Sequence, residues 1–480
     1  MKTKKITAML CAFALVVSTS VGASAKSNTD WAQFLGSPVA SGLTDAKTPV
    51  NATAAELVWS AKHTVTSEYN GLKLENNACG TPIIVGSDLY LTTSDGKLSK
   101  LNATTGKTIA TVACKNIPLY FSQIAYGDGK IYVPQQTEAG VQISAFDAAS
   151  LALVWQSEAI TFGTQAQQIA SPITYYNNHI YFGTYTQDAV TYAYTSGVYA
   201  CIDTKTGKSV WQHENATAGY YWNGGAVTGS AIAVSDSSGN ITSYQLTDGS
   251  KISTVSTGGP VSSTLCFAEG RIYASLKTGS VYSAKTDVNG TIYGSTATKS
   301  AVLGNSITSS PVVYNGRLYV AGGGYGATTP FSVLNATDLK TIYQIKGIQS
   351  QSSPLVSTAY ATDSNQQQVS IYVTKYGTSD QNYAFSKDSS SVYVINDSKG
   401  QTKASYETLF TPSVAQSSSQ SLAASGDGKL YYFNDSGTLF AIGTKASLPS
   451  PATGEAPVSG LVLIALGAVA ILIFNKKNKE

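Results

Sequence analysis

The chain has 480 residues, 12% of them charged and 42% hydrophobic, with 43 Gly and 30 Tyr. Its 31 Lys and Arg nearly balance 28 Asp and Glu, and the arginines are two, Arg271 and Arg317. So few cations build no patch able to neutralise phosphates, which excludes a nucleic-acid partner. Charge far below the usual share of about a quarter, with abundant Tyr, Ser, Thr and Gly, favours β-structure rich in turns over helices or disorder.

The first 25 residues have the layout of a secretory signal peptide. Lys2, Lys4 and Lys5 precede an apolar run from Ile6 to Val17, and Ala23-Ser24-Ala25 offers a cleavage site after Ala25. Without residues 1–25 (three Lys) and 454–480 (three Lys, two Glu) the chain holds 25 basic and 26 acidic residues, a net charge of −1. Loss of Cys11 leaves Cys79, Cys114, Cys201 and Cys266, which allow three pairings. A Cys79–Cys114 bridge across one repeat is one arrangement, and isolated buried thiols are the other. With three His and no Cys-x-x-Cys, no metal site is expected.

A lead-in follows at 26–55, containing "DWAQFLGSPVASG" (30–42), and then Glu56-Leu57-Val58-Trp59-Ser60, a lone Trp-bearing strand. From there to residue 445 one unit recurs. "CIDTKTGKSVW" (201–211) ends a strand on Asp203, turns at Gly207 and starts a strand carrying Trp211; "AFDAASLALVW" (145–155) repeats it with Asp147 and Trp155. Looser copies place the Asp or its equivalent at 102, 147, 203, 245, 286, 335, 396 and 443, the steps expected of propeller blades. Upstream of each lies a hairpin such as "SPVVYNGRLYVAGG", in which an apolar strand meets an Asn/Gly turn and an Ile/Leu-Tyr strand follows. Each repeat is thus four antiparallel strands, a to d. The eighth lacks strand d, and the Trp59 segment supplies it, which removes the open edges. The expected fold is all-β: an eight-bladed β-propeller of four-stranded antiparallel blades over 56–445, the last blade closed by an N-terminal strand.

The pattern Ala-x-Asp-x-x-Thr-Gly-x-x-x-Trp resembles the repeat of the pyrroloquinoline-quinone-like (PQQ-like) propellers, and "DWAQFLGSPVASG" resembles their lead-in. That family includes quinoprotein alcohol dehydrogenases and a non-enzymatic lipoprotein of outer-membrane protein assembly. The resemblance implies a structural, blade-docking role for Trp59, Trp155, Trp211, Asp147, Asp203 and Gly207, with Cys201 as packing material. The family's dehydrogenases use adjacent cysteines, a calcium site and an aspartate base. No two cysteines are adjacent here, and the carboxylates lie mostly in turns such as "SDGK", "GDGK" and "TDGS". No cofactor, no metal and no catalytic residues are therefore expected, and the protein reads as no enzyme.

The a–b and c–d turns are short except in blade 7, whose a–b connection contains "TDSNQQQ". The opposite face, of b–c and d–a connections, carries the longer loops and many aromatics: Tyr120, Tyr185, Tyr192, Tyr194, Tyr220, Tyr221, Trp222, Tyr325, Tyr376 and Tyr383. Long loops on a rigid scaffold commonly carry function, and Tyr and Trp suit both protein partners and sugar rings. These ten are the candidate face for an extracellular glycan or protein ligand.

The C-terminus completes the picture. Residues 446–457 form a spacer holding Ser450-Pro451-Ala452-Thr453-Gly454; an uncharged apolar run at 458–474 is just long enough to span a bilayer; and 475–480 are Lys-rich. This order resembles the cell-wall sorting signal of Gram-positive surface proteins, with Ser450 where that motif has Leu. The resemblance implies cleavage by a sortase between Thr and Gly, attachment to peptidoglycan, and a transmembrane helix before sorting; the alternative is a plain single-pass membrane anchor, with the propeller extracellular in either case. The sequence-level expectation is a cell-surface, non-catalytic binding propeller; a scaffold for envelope or exported-protein assembly is the alternative, and an extracellular enzyme a weaker one.

Overall fold

A computed structural model describes residues 30–445 except 64, 70–71, 77, 94, 115–122 and 379–383, and only the backbone of 65–69, 72–76 and 78–79. The signal peptide with Ala25, the 450–454 motif, the apolar run at 458–474, Tyr120 and Tyr383 lie outside the described residues. Among the described residues no helix is long and apolar enough to cross a membrane.

Strand pairing gives eight blades of four antiparallel strands: residues 78–113, 125–156, 174–215, 226–256, 266–299, 312–345, 355–410, and 423–444 completed by Ala55–Lys62. That last strand seals the ring. It pairs antiparallel with Thr438–Thr444, with Glu56 opposite Gly443 and Trp59 opposite Ala441.

The hairpins follow from turn chemistry. The a–b turns of blades 2, 3, 5 and 6 place both central residues at positive φ: Asp128-Gly129, Asn177-Asn178, Glu269-Gly270 and Asn315-Gly316. This geometry matches the twist of the flanking strands. At the c–d turns an Asp or Asn folds back on the chain. Asp203 Oδ1 accepts from Thr206 N at 2.8 Å and Thr206 Oγ1 at 2.7 Å, and Asp147 does the same with Ser150. These bonds hold both carboxyls below the usual carboxylate range.

The blades dock through the Trp side chains. Trp59 lies over Gly106, Trp155 over Gly207 and Trp211 over Gly249, each glycine so close that a Cβ would sit 2.6–2.7 Å from the indole. The indole N–H groups donate to the carbonyls of Ala103 (3.0 Å), Thr204 (2.9 Å) and Leu246 (3.2 Å) on the neighbouring blade. The Tyr of the Ile/Leu-Tyr strand makes the tie where no Trp stands, and in blade 8 it adds a second bond beside Trp59. Tyr90 donates to Ala148 O (2.7 Å), Tyr273 to Ala336 O (3.1 Å), and Tyr431 to Ala103 O (3.1 Å). Much of the Tyr content is thus inter-blade packing with one polar end satisfied.

Blades 6 and 7 are joined differently. Asp397, fully buried, receives the hydroxyls of Tyr319 (2.9 Å) and Tyr343 (2.6 Å) and Arg317 Nη2 (3.0 Å). Arg317 Nε also lies 2.7 Å from Asp397 Oδ2, a close ion-pair approach without hydrogen-bond alignment. Burial beside the carboxylate pushes both phenols far up.

Cys114, Cys201 and Cys266 are buried free thiols, each within an apolar cluster, whereas the Cys79 side chain lies outside the described residues. Desolvation pushes all three up to about 12.

The lead-in is a strap that visits every blade in order at the a–b ends of the inner strands. Trp31 pairs with Ile84 of blade 1, Ala32 O accepts from Tyr126 N, and Gln33 Oε1 accepts from Tyr175 N. Pro38 O and Val39 O accept from Val227 N and Phe267 N of blades 4 and 5. Gly42 packs on Val312 of blade 6, Leu43–Thr44 runs parallel to Leu355–Ser357 of blade 7, and Lys47 abuts Gly428 of blade 8. The strap satisfies inner-strand edge groups that a bare propeller would leave to water.

Candidate binding face and axial cavity

A cavity lies at the axis. Its wall is drawn from the one to four residues preceding strand a of blades 2 to 8, and Phe34 of the strap lines it as well. Hydroxyl groups knit this wall together. Thr264 N donates to Ser310 Oγ (3.0 Å), Ser310 N to Ser353 Oγ (2.9 Å) and Ser353 N to Ser421 Oγ (2.9 Å), stepping across blades 5, 6, 7 and 8. Thr81 of blade 1 continues the ring, giving its hydroxyl to Ser421 O (3.3 Å) and its N–H to Gln123 Oε1 of blade 2 (2.9 Å). Because each Ser oxygen accepts a backbone N–H, its own proton is left to donate elsewhere. The cavity measures about 440 Å3, a volume that takes in the open solvent at its mouth. Among the described residues no charged or titratable side chain lines it.

Beside the mouth stands an aromatic wall. Tyr194 stacks on Tyr221 (centroids 4.4 Å apart, planes 12° apart) and Tyr221 on Trp222 (4.7 Å, 25°). Tyr185 meets Tyr194 and Tyr221 edge-on at 5.4 and 5.2 Å. Trp222 ends the stack and lines the cavity. Its φ of +61° is left-handed backbone, a conformation that costs a bulky residue about 1–3 kcal/mol unless its surroundings impose it. Asn223 imposes it here, donating to Ser235 Oγ (2.9 Å) and Val261 O (3.1 Å).

The candidate face therefore divides. Tyr220 is not on the surface: it is 4% exposed and fills the space over Gly183 beside Tyr199, a packing role. Tyr185, 9% exposed, is a support for the stack. Tyr194, Tyr221 and Trp222 form the half-buried wall, and burial pushes the Tyr194 hydroxyl up to about 12. Tyr192 (70% exposed) rides the blade 3 hairpin, whose loop is ordered by Asp188 accepting from Val190 N and Thr191 N. Tyr325 is 89% exposed on the blade 6 loop, and Tyr376 is partly buried.

Sequence reasoning missed the hydroxyl ring, although "GTP" (80–82), "ASP" (170–172), "TSSP" (308–311) and "QSSP" (351–354) recur before strand a and mark it. It also missed two hairpins on this face, Val65–Tyr69 with Leu72–Asn76 and Thr161–Phe162 with Gln165–Ala166.

An eight-bladed propeller threaded by an N-terminal strap and docked through structural Trp side chains is a β-propeller of the PQQ-like class. The family profile described as "Outer membrane protein assembly factor BamB" matches residues 46–238 and again 237–448, and the chain belongs to that family. No curated protein matches it in sequence. Among solved structures it is similar to the quinohemoprotein alcohol dehydrogenase of Comamonas testosteroni (TM-score 0.62, 13% identity, 91% of this chain and 84% of that one). It is similar also to BamB of Moraxella catarrhalis (0.51, 13%, 81% and 97%) and to the computationally designed Ika8 protein (0.53, 10%, 79% and 99%). At such identities the likeness is one of fold.

The quinone of such dehydrogenases does not fit this cavity. A planar, multiply carboxylated cofactor needs cationic or metal partners, and the wall supplies hydroxyls and amides with no cation. Among the described residues no three His, Cys, Asp or Glu come together to hold a metal ion.

Proposed function

We propose that this chain is a non-catalytic, surface-displayed binding propeller that takes an extracellular glycan or protein on its loop face. The observation that carries the reading is the aromatic wall Tyr194–Tyr221–Trp222 running into the uncharged cavity, with Trp222 held in a strained backbone conformation. Backbone strain over-determined by its surroundings clusters at ligand sites, and rigid aromatic groups bind at low entropic cost. The described chain leaves the propeller at Thr444 on the turn face, so the loop face lies opposite that exit. Export follows from residues 1–25, and retention at the envelope through sortase and peptidoglycan from residues 450–480.

The test is capture of polysaccharides and of secreted proteins by the full chain, with Tyr221→Ala and Trp222→Ala as variants. Loss of capture in both variants with unchanged unfolding supports the reading, and undiminished capture refutes it. Membership of a family described by an assembly factor favours a second reading, a scaffold for envelope or exported-protein assembly. Under it the captured species are folding intermediates of exported proteins, and removal of this chain lowers their surface yield.

A further inference from the structure

We infer that the axial cavity is a subsite for one neutral, hydroxyl-rich ring, such as the terminal sugar of an uncharged glycan. This rests on the proposed binding function and names its ligand class. Trp222 offers an apolar ring face at the mouth, of the kind that covers the C–H face of a sugar. Behind it, Ser310, Ser353 and Ser421 present hydroxyl protons left over from the inter-blade ladder.

Two further hydroxyls have no partner at all. Thr264, 3% exposed, and Thr308 both line the cavity, and the side-chain oxygen of each is buried without a hydrogen bond. A buried, unpaired hydroxyl is costly unless something satisfies it. Both hydroxyls donate and accept, as do those of a sugar, so the match is reciprocal.

The chemistry of the wall decides against other classes. An anion would be desolvated with no cation to meet it, and a hydrocarbon would leave the donors unpaired. At about 440 Å3 including its open mouth, the space admits one ring lying against Trp222.

The experiment is titration calorimetry of the full chain with methyl glucoside, methyl galactoside and N-acetylglucosamine as neutral probes, and sulfate and gluconate as anionic ones. Saturable heat from at least one neutral probe is expected, unchanged from about pH 5 to about pH 8 because no titrating group lines the site among the described residues. Thr264→Val and Thr308→Val are nearly isosteric and delete no internal hydrogen bond. Each should weaken binding about tenfold while leaving thermal unfolding unchanged or slightly raised. Binding of sulfate or gluconate alone overturns the ligand class, and silence from every neutral probe overturns the subsite. If macromolecular capture persists in the two valine variants, the proposed binding function stands without this subsite. If capture is absent as well, both fall.

Discussion

Removing the Asp397 carboxylate should be among the most damaging single changes in the propeller. Asp397→Ala leaves the Arg317 guanidinium, itself 5% exposed, facing a void where its counter-charge stood. Breaking a buried pair from one side typically costs about 3–5 kcal/mol. The Tyr319 and Tyr343 hydroxyls lose their acceptor too, at about 1–3 kcal/mol for each orphaned group, though such costs overlap. Arg317 keeps its bonds to Lys399 O (3.0 Å) and Gln401 O (2.8 Å), which limit the loss. A destabilisation of about 3–5 kcal/mol is therefore expected, read as a fall in the urea midpoint at constant m-value. Arg317→Ala should cost a similar amount, and the double variant less than the two together by about 1–3 kcal/mol. A loss under about 1 kcal/mol for Asp397→Ala, or strict additivity in the cycle, would show that the Asp397 carboxylate contributes little to the joining of blades 6 and 7.

Gly207→Ala and Gly86→Ala separate docking from backbone strain. Both glycines have positive φ, but a Cβ at Gly207 meets Trp155 at 2.7 Å while one at Gly86 meets nothing within 4 Å. The first should cost about 2–4 kcal/mol in urea unfolding and the second about 1; equal costs would argue against Trp docking. Asp435, in the blade 8 b–c turn, has its carboxyl lifted by burial to about 6 from an ordinary 3.8. The folded chain then keeps a proton that the unfolded chain loses, so stability present below about pH 4 is lost as pH rises to about 6, by up to roughly 3 kcal/mol. Subtracting the pH profile of Asp435→Asn from that of the wild type should isolate this fall, and a flat difference would refute it. Cys114, Cys201 and Cys266 should resist a thiol reagent in the native state and react in urea, since burial holds them as thiols; rapid native labelling of any of them would contradict their burial.

The sequence alone specified the blade, because everything that makes one is local. Asn-Gly and Asp-Gly turns, Ile/Leu-Tyr strands and the Asp203–Gly207–Trp211 spacing are set by neighbours a few residues away, and a fixed period then counts the copies. Closure by Ala55–Lys62 was also legible, since one repeat lacked a strand and one Trp-bearing strand lacked a repeat. Which side of a ring points where was not. Tyr220, Tyr221 and Trp222 are adjacent and alike in sequence, yet the first fills the gap over Gly183, the second stands in a stack, and the third turns left-handed into the cavity. The strap and the hydroxyl ring were hidden for the same reason: their partners are spread over eight blades, up to hundreds of residues away. Short-range chemistry writes secondary structure into sequence, whereas a site at the axis exists only once distant strands have met.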